Sequence, residues 1–150
     1  MSLKLHKIYA SVCGVGYIKG GGSIAALITC IIWYFFIADC NWAVQLAIFG
    51  IVSVLGILSG NVVEREWGED SSKVVIDEVA GMMMPLLVVG GIWSYVIAFV
   101  LFRFFDISKI WGIRSMEKMK GGMGVMLDDL LSGLYALVVM ILILQLPINL

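Results

Sequence analysis

The sequence predicts an all-α membrane protein, a polytopic bundle of helices in a single domain that spans residues 1–150. One basis for this prediction is composition, because apolar residues make up 61% of the chain, whereas soluble domains contain about 45–50%. Another is the spacing of charge. Four uncharged stretches are each close to or above the roughly 20 residues that a helix needs to cross a bilayer. They are residues 20–38, 43–60, 79–102 and 130–150.

The distribution of basic residues predicts the topology of these helices. All ten Lys and Arg residues lie in three segments, residues 4–19, 65–73 and 103–120. If residues 79–102 formed one span, the third segment would face the outside, against the tendency of basic residues to stay in the cytoplasm. A hairpin that turns at Gly90-Gly91 keeps all three segments in the cytoplasm. We therefore expect about five membrane-embedded helical segments, with the N-terminus inside and the C-terminus outside.

The two helices of this hairpin are expected to extend beyond its uncharged core. Residues 79–89 alone would cover only about 16 Å as an α-helix. The helices are therefore expected to begin near Ser71-Ser72 and to end near Arg114. This extension draws ionisable groups into the membrane interface, where they are costly unless they are paired, hydrated or bound to an ion. The groups concerned are Asp77, Glu78, Arg103 and Asp106.

Two adjacent acids open the first helix of the hairpin, in the run V-I-D-E-V-A-G at residues 75–81. Gly81 lies one turn after Asp77 on the same face, and a small residue there lets another helix approach the carboxylate. The alternative is that Asp77 and Glu78 form only the solvated start of a helix, where negative charge suits the helix dipole. This motif by itself leaves both interpretations open.

A row of charges lies in the run F-R-F-F-D-I-S-K at residues 102–109. Arg103, Asp106 and Lys109 recur every three residues and so share one helical face. On a soluble helix, such a row would be interpreted as a ladder of ion pairs. Among the apolar neighbours in this run, charge is expensive, and a functional site becomes the favoured hypothesis.

Glycines and acids are combined in the run K-G-G-M-G-V-M-L-D-D-L-L-S-G, which starts at Lys120. Glycines allow backbone N–H groups to come close to an anion, and a helix N-terminus favours negative charge. Taken alone, Gly121-Gly122 could be an ordinary turn and Asp128-Asp129 an ordinary helix start. The predicted topology, however, places this run at the same cytoplasmic level as the two other motifs.

Several carboxylates held close together would repel one another unless a cation joined them. The available ligands are oxygens, without a cluster of His or Cys residues, which favours Mg²⁺ over zinc. A carboxylate-bound Mg²⁺ with nearby Arg and Lys side chains is suited to phosphoryl chemistry. The cations stabilise charge on the phosphoryl oxygens, while a carboxylate positions a water.

Other chemistries are disfavoured by the composition. The only histidine, His6, lies near the N-terminus, far in sequence from the acidic motifs. The three cysteines, Cys13, Cys30 and Cys40, have no C-x-x-C spacing, which argues against a disulfide framework and a zinc site. No basic cluster interleaved with aromatic residues is present, so nucleic acid is not an expected partner.

The three motifs resemble those of the phosphatidylglycerophosphatase A family of small membrane lipid phosphatases. The resemblance is strongest at residues 74–81, 102–109 and 120–133, and it is weaker at residues 14–27 and 64–70. It implies Mg²⁺-dependent hydrolysis of phosphatidylglycerophosphate to phosphatidylglycerol and phosphate. It also implies a location in the bacterial inner membrane, with the active site facing the cytoplasm.

The resemblance assigns expected roles by position in these motifs. The expected catalytic acids are Asp77, Glu78, Asp106, Asp128 and Asp129. The expected metal ligands are Glu78, Asp106, Asp128 and Asp129. The expected phosphate-binding residues are Arg103, Lys109, Lys120, Gly121 and Gly122. The chain departs from the family pattern at Ile110, where the family usually has Pro, and at Gly20-Gly21-Gly22, where it has P-G-T.

Three alternatives to a lipid phosphatase are retained. A CDP-alcohol phosphotransferase would also place aspartates and Mg²⁺ at the cytoplasmic ends of helices, but the chain lacks its D-G-x-x-A-R run. A small membrane cation transporter could use the intramembrane carboxylates as an ion path. A purely structural subunit would need the acids only for orientation and assembly.

Overall fold

The regular secondary structure that the structure describes is helical. A computed structural model of the chain describes residues 2–69, 71–110, 112–113 and 121–147. A 3-10 turn, Val15–Tyr17, precedes the second helix, and a π-helical segment, Trp33–Ile37, continues it. The all-α prediction is confirmed for these ranges. The α-helices are α1 (Leu3–Ala10), α2 (Gly21–Ile32), α3 (Trp42–Trp67), α4 (Ile76–Leu86), α5 (Ile92–Ser108) and α6 (Gly122–Leu144).

Two of the described helices are long and apolar enough to cross a membrane. They are α3, with 26 residues, and α6, with 23 residues. In contrast, α4 has 11 residues and would extend only about 16 Å, roughly half of a bilayer's hydrocarbon core. The expectation of five membrane-embedded segments is therefore not supported, because the other described helices do not meet the length and composition that crossing requires.

A break at Gly90-Gly91 separates α4 from α5, as predicted. α4 ends at Leu86, and α5 begins at Ile92. The backbone N–H of Gly90 donates to Ser94 Oγ at 3.0 Å, which ties the connecting segment to the first turn of α5. The two helices contact each other on either side of this break.

The start of α4 lies later in the chain than predicted. The helix begins at Ile76 rather than near Ser71-Ser72. The preceding residues are used in turns, and the backbone N–H of Val75 donates to the carbonyl O of Ala10 at 2.9 Å. This bond holds the loop against the end of α1, so a longer α4 would lose it.

The end of α5 also differs from the prediction. The helix ends at Ser108, and Lys109 follows it with a left-handed φ of 45°. Ile110 then packs against the apolar core. The prediction that this helix continues to the neighbourhood of Arg114 is therefore wrong, and Arg114 itself lies outside the described residues.

Two glycines allow α4 and α6 to pack backbone against backbone. A Cβ on Gly81 would lie 2.6 Å from the carbonyl O of Asp129, and a Cβ on Gly133 would overlap the backbone of Gly81. Each glycine lies one helical turn after an acid, Gly81 after Asp77 and Gly133 after Asp129. The close approach predicted at Gly81 is confirmed, and it brings the two acids side by side.

An apolar core fills the bundle beyond this contact. Trp33, Met82, Phe102 and Met140 are 1% exposed or less and belong to one cluster. They come from the π-helical segment, α4, α5 and α6, so the core connects all four elements. The charged motifs are left at one end of the bundle, where α2, α4 and α6 begin and α5 ends.

Candidate functional site

A polar cavity of about 560 Å³ lies at this end of the bundle. Its walls come from the turn before α2, the loop before α4, the end of α5 and the first turns of α6. The structure thus brings together all five acids that the sequence motifs contain. The charged residues that line the cavity are Asp77, Glu78, Asp106, Asp128, Asp129, Lys19 and Lys109.

Three of these acids form a cluster tight enough to share one cation. Carboxylate oxygens of Asp77, Glu78 and Asp129 all lie within 4.8 Å of one another. Asp77 is 7% exposed and Asp129 is 4% exposed, so little water screens their charges. The backbone N–H of Glu78 donates to Asp77 Oδ1 at 3.1 Å, which orients this carboxylate. Carboxylates held this close repel one another unless a cation binds between them.

The ligands of this cluster suit a hard divalent cation such as Mg²⁺ or Ca²⁺. Both ions bind carboxylate oxygens, and oxygens on opposite sides of one such ion lie about 4–5 Å apart. Glu78 Oε2 is buried and has no hydrogen-bond partner within the described residues. A buried carboxylate oxygen without a donor is costly unless it coordinates something. Asp77, Glu78 and Asp129 are therefore the residues that could hold the ion.

Asp106 lies beside the cluster and has a cation of its own. Its Oδ2 accepts a hydrogen bond from Arg103 Nη1, one turn earlier on α5. The side chain of Asp106 also contacts that of Asp129. The i,i+3 pair predicted for α5 is thus formed, and it stands directly next to the cluster rather than inside it.

Asp128 pairs with Lys109 between α6 and the end of α5. Lys109 Nζ donates to Asp128 Oδ2 at 2.7 Å. The row of charges predicted on one face of α5 is therefore only partly formed: Arg103 and Asp106 pair along α5, whereas Lys109 follows the end of the helix and pairs with a residue of α6. Of the four expected metal ligands, the three-acid cluster contains Glu78 and Asp129, and Asp77 completes it.

The glycine run before α2 forms a further wall of the cavity. Gly20 has a left-handed φ of 79°, a conformation that favours glycine. A Cβ on Gly22 would overlap the carboxylate of Glu78. The departure from the family's P-G-T loop therefore has a local consequence: Glu78 packs directly against the backbone of α2.

Gly121 and Gly122 are not among the residues that line the polar cavity. The backbone N–H of Gly122 donates to Asn61 Oδ1 at 2.9 Å, and a Cβ on Gly122 would lie 2.6 Å from the carbonyl O of Ile57. In the structure these glycines serve the packing of α6 on α3. Their expected role in phosphate binding stays a prediction, and Lys120 lies outside the described residues.

Sequence reasoning did not single out two residues near the site. Asn61 fixes the start of α6 through Gly122, and its signal in the sequence is an amide between the apolar part of α3 and its charged end. Lys19 lines the cavity, and its signal was a basic residue directly before the glycines that open α2. Neither signal is strong without knowledge of which helices meet.

The chain is similar to one known protein family and to several known proteins. It matches the family model of phosphatidylglycerophosphatase A over residues 8–144. It is 42% identical over 126 residues to a protein of Bacteroides thetaiotaomicron named putative phosphatidylinositol-3-phosphatase, covering 78% of this chain and 79% of that protein. No solved structure matches the chain.

Two further relatives are named phosphatidylglycerophosphatase A. The Haemophilus influenzae protein is 41% identical over 73 residues, covering 47% of this chain and 45% of that protein. The Escherichia coli protein is 35% identical over 94 residues, covering 57% of this chain and 55% of that protein. The matched region thus spans about half the length of each of these two relatives.

Proposed function

The chain belongs to the phosphatidylglycerophosphatase A family, and from this premise we propose that it hydrolyses phosphatidylglycerophosphate to phosphatidylglycerol and inorganic phosphate in a Mg²⁺-dependent reaction. Family membership identifies the chain as a phosphatase. The proposed substrate and metal dependence rest on the three-acid cluster of Asp77, Glu78 and Asp129, which lies in a cavity that also contains lysines. This combination suits a phosphate monoester.

The ion would be held by the three-acid cluster. When bound there, Mg²⁺ supplies positive charge to the phosphoryl oxygens of the substrate. The other groups in the cavity have separate tasks. Lys109 pairs with Asp128, and both residues line the cavity where α5 ends next to α6.

Asp106 is the acid best placed to position the attacking water. It lies next to Asp129 but outside the three-acid cluster, and Arg103 holds its carboxylate in one orientation. In the proposed reaction, the water oxygen bonds to phosphorus while the bond from phosphorus to the glycerol oxygen breaks. A carboxylate such as Asp106 accepts the proton of the water and can return it to the leaving oxygen.

We also propose that the chain lies in the inner membrane of a bacterial cell, with the cavity facing the cytoplasm. The two apolar helices α3 and α6 support a membrane location, and so do the bacterial relatives. Lys19 and Lys109, which come from two of the three basic segments, line the cavity, in agreement with the cytoplasmic preference of Lys and Arg. At this position the enzyme would act in phospholipid synthesis.

A phosphorylated inositol lipid is the second candidate substrate. The match that covers most of this chain among the reported relatives is the Bacteroides protein named putative phosphatidylinositol-3-phosphatase. Both candidates are phosphate monoesters on a lipid headgroup, so the same acids would serve either one. The comparisons give no support to the cation transporter alternative.

A substrate assay separates the two candidates. The purified protein in detergent receives phosphatidylglycerophosphate or phosphatidylinositol 3-phosphate with the same acyl chains, and phosphate release is measured with Mg²⁺ and with a chelator. We expect the higher kcat/KM for phosphatidylglycerophosphate and loss of turnover with the chelator. A higher kcat/KM for the inositol lipid would favour the second candidate, and turnover that resists the chelator would contradict the metal dependence.

A further inference from the structure

The basic residues around the cavity differ in whether a carboxylate already pairs with them. Arg103 pairs with Asp106, and Lys109 pairs with Asp128. Lys19 also lines the cavity, yet it has no hydrogen bond or ion pair to any residue in the part of the chain that the structure describes. A lysine without a carboxylate partner retains its full attraction for an added anion.

We propose that Lys19 binds the phosphate monoester of the substrate, a role that the family resemblance assigns to Arg103, Lys109, Lys120, Gly121 and Gly122. This inference rests on the proposed function and names the anion contact of the same site. Lysine is a common phosphate-binding residue, acting as a compact point charge.

The balance of charge among the described residues of the cavity favours such a residue. The five acids, together with the paired Arg103 and Lys109, carry a formal charge of −3 when all groups are ionised. One Mg²⁺ reduces this charge to −1, which still opposes a phosphate monoester of charge close to −2. Adding Lys19 brings the charge that the phosphate meets to zero.

The backbone around Lys19 is held firmly in place. The ring of Tyr17 packs edge to face on Trp67, with centroids 5.9 Å apart. Gly16 packs so closely on the backbone of Lys73 that a Cβ there would overlap it. The backbone N–H of Gly21 donates to the carbonyl O of Ile18 at 2.9 Å, which closes the turn that carries Lys19. Because the backbone is already fixed, binding costs only the rotamer entropy of the Lys19 side chain.

The start of α2 adds to the attraction for an anion. Lys19 lies two residues before Gly21, the first residue of this 12-residue helix. The N-terminal end of a helix carries partial positive charge, and Gly20, Gly21 and Gly22 line the same cavity. An anion at this end of the cavity would meet Lys19, while the start of α2 is shared with the Glu78 carboxylate, which packs against Gly22.

Kinetics of a charge-neutral variant test the proposal. We expect Lys19→Gln to raise KM for phosphatidylglycerophosphate roughly tenfold with kcat within about twofold, because a contact made equally in the ground and transition states affects KM alone. Lys19→Arg should restore most of the affinity. The matched control is Lys4→Gln, which removes a lysine that does not line the cavity. An unchanged KM in Lys19→Gln would overturn the proposal.

A second measurement does not depend on turnover. The wild-type protein with Mg²⁺ is acylated with an amine-reactive reagent, with and without inorganic phosphate, and modification of each lysine is followed by mass spectrometry. We expect phosphate to slow the modification of Lys19 severalfold and to leave Lys4 unaffected. Equal rates at Lys19 in a protein that hydrolyses the lipid would overturn this inference alone. Protection of Lys19 in a protein that hydrolyses neither lipid would support the anion site and contradict the proposed function.

Discussion

Individual carboxylates determine what the cavity can bind. Asp77, Glu78 and Asp129 are held within reach of one ion, and Glu78 Oε2 has no other partner among the described residues. Asp106 is oriented by Arg103. Each acid therefore has a distinct contact, and substitution of each one tests a different part of the proposal.

Asp129→Asn tests the three-acid cluster, because it removes one negative charge without changing the size of the side chain. We expect phosphate release from phosphatidylglycerophosphate to fall about 100-fold or more, comparable to the loss of a group that stabilises developing charge. The variant should remain monodisperse in detergent with unchanged helical content. The matched control is Glu69→Gln, an exposed acid outside the cavity, which should keep its activity. Full activity in Asp129→Asn would exclude this acid from the centre.

The acids of the site could be predicted from the sequence because charge is costly in apolar helices. Asp77, Asp106 and Asp129 stood out on this ground, and the structure brings them together. The ion pair between Lys109 and Asp128 could not be predicted. It depends on the left-handed turn at Lys109, which directs this lysine toward α6, and a single residue's backbone conformation is not encoded in the charge pattern.

Contacts between helices place the acids at the distances that chemistry needs. The backbones of α4 and α6 meet at Gly81 and Gly133, one turn after Asp77 and Asp129 respectively. The geometry of the cluster therefore depends on two residues that have no side chain.

Gly81→Ala tests this contact. Its Cβ would lie 2.6 Å from the carbonyl O of Asp129 and 2.7 Å from the ring of Phe102, so α4 and α6 must separate. We expect a loss of about 1–3 kcal/mol of unfolding free energy and a clear loss of activity, measured by thermal unfolding in detergent and by phosphate release. The control is Gly50→Ala on α3, where a Cβ would meet nothing within 4 Å. Equal unfolding free energies for the two variants would contradict a stabilising contact between α4 and α6 at Gly81.

The elements themselves were only partly predictable. The break at Gly90-Gly91 followed from local glycine chemistry. The start of α4 did not, because the bond from Val75 to Ala10 joins segments that are far apart in sequence. Hydropathy marks where helices are favourable, whereas such a long-range bond determines where one begins.

On the scale of the whole molecule, the polar cavity lies at one end of the helical bundle, and the end of the π-helical segment lies at the other. α2 and its π-helical extension run from Gly21 at the cavity to Ile37, a length of about 25 Å. Cys13 is exposed, three residues before the cavity-lining Gly16, and Cys40 follows the far end of this helix. The two native cysteines therefore report on the two ends separately.

Cysteine labelling tests the proposed orientation in the membrane. A membrane-impermeant maleimide applied to right-side-out vesicles should modify Cys40 and spare Cys13, and inside-out vesicles should give the reverse. Cys13→Ser and Cys40→Ser variants assign the signals, and the buried Cys30 serves as the unreactive reference. Labelling of Cys13 from the outside would contradict a cytoplasmic site.

The most direct test of the central claim is metal binding by the three-acid cluster. Mn²⁺, which shares the preference of Mg²⁺ for oxygen ligands, is titrated into the purified protein and followed by electron paramagnetic resonance. The proposal predicts a Mn²⁺ site in the wild-type protein that Mg²⁺ displaces and that Asp129→Asn weakens at least about tenfold. Equal Mn²⁺ affinity in the wild type and in a folded Asp129→Asn variant would contradict a metal centre built on Asp77, Glu78 and Asp129.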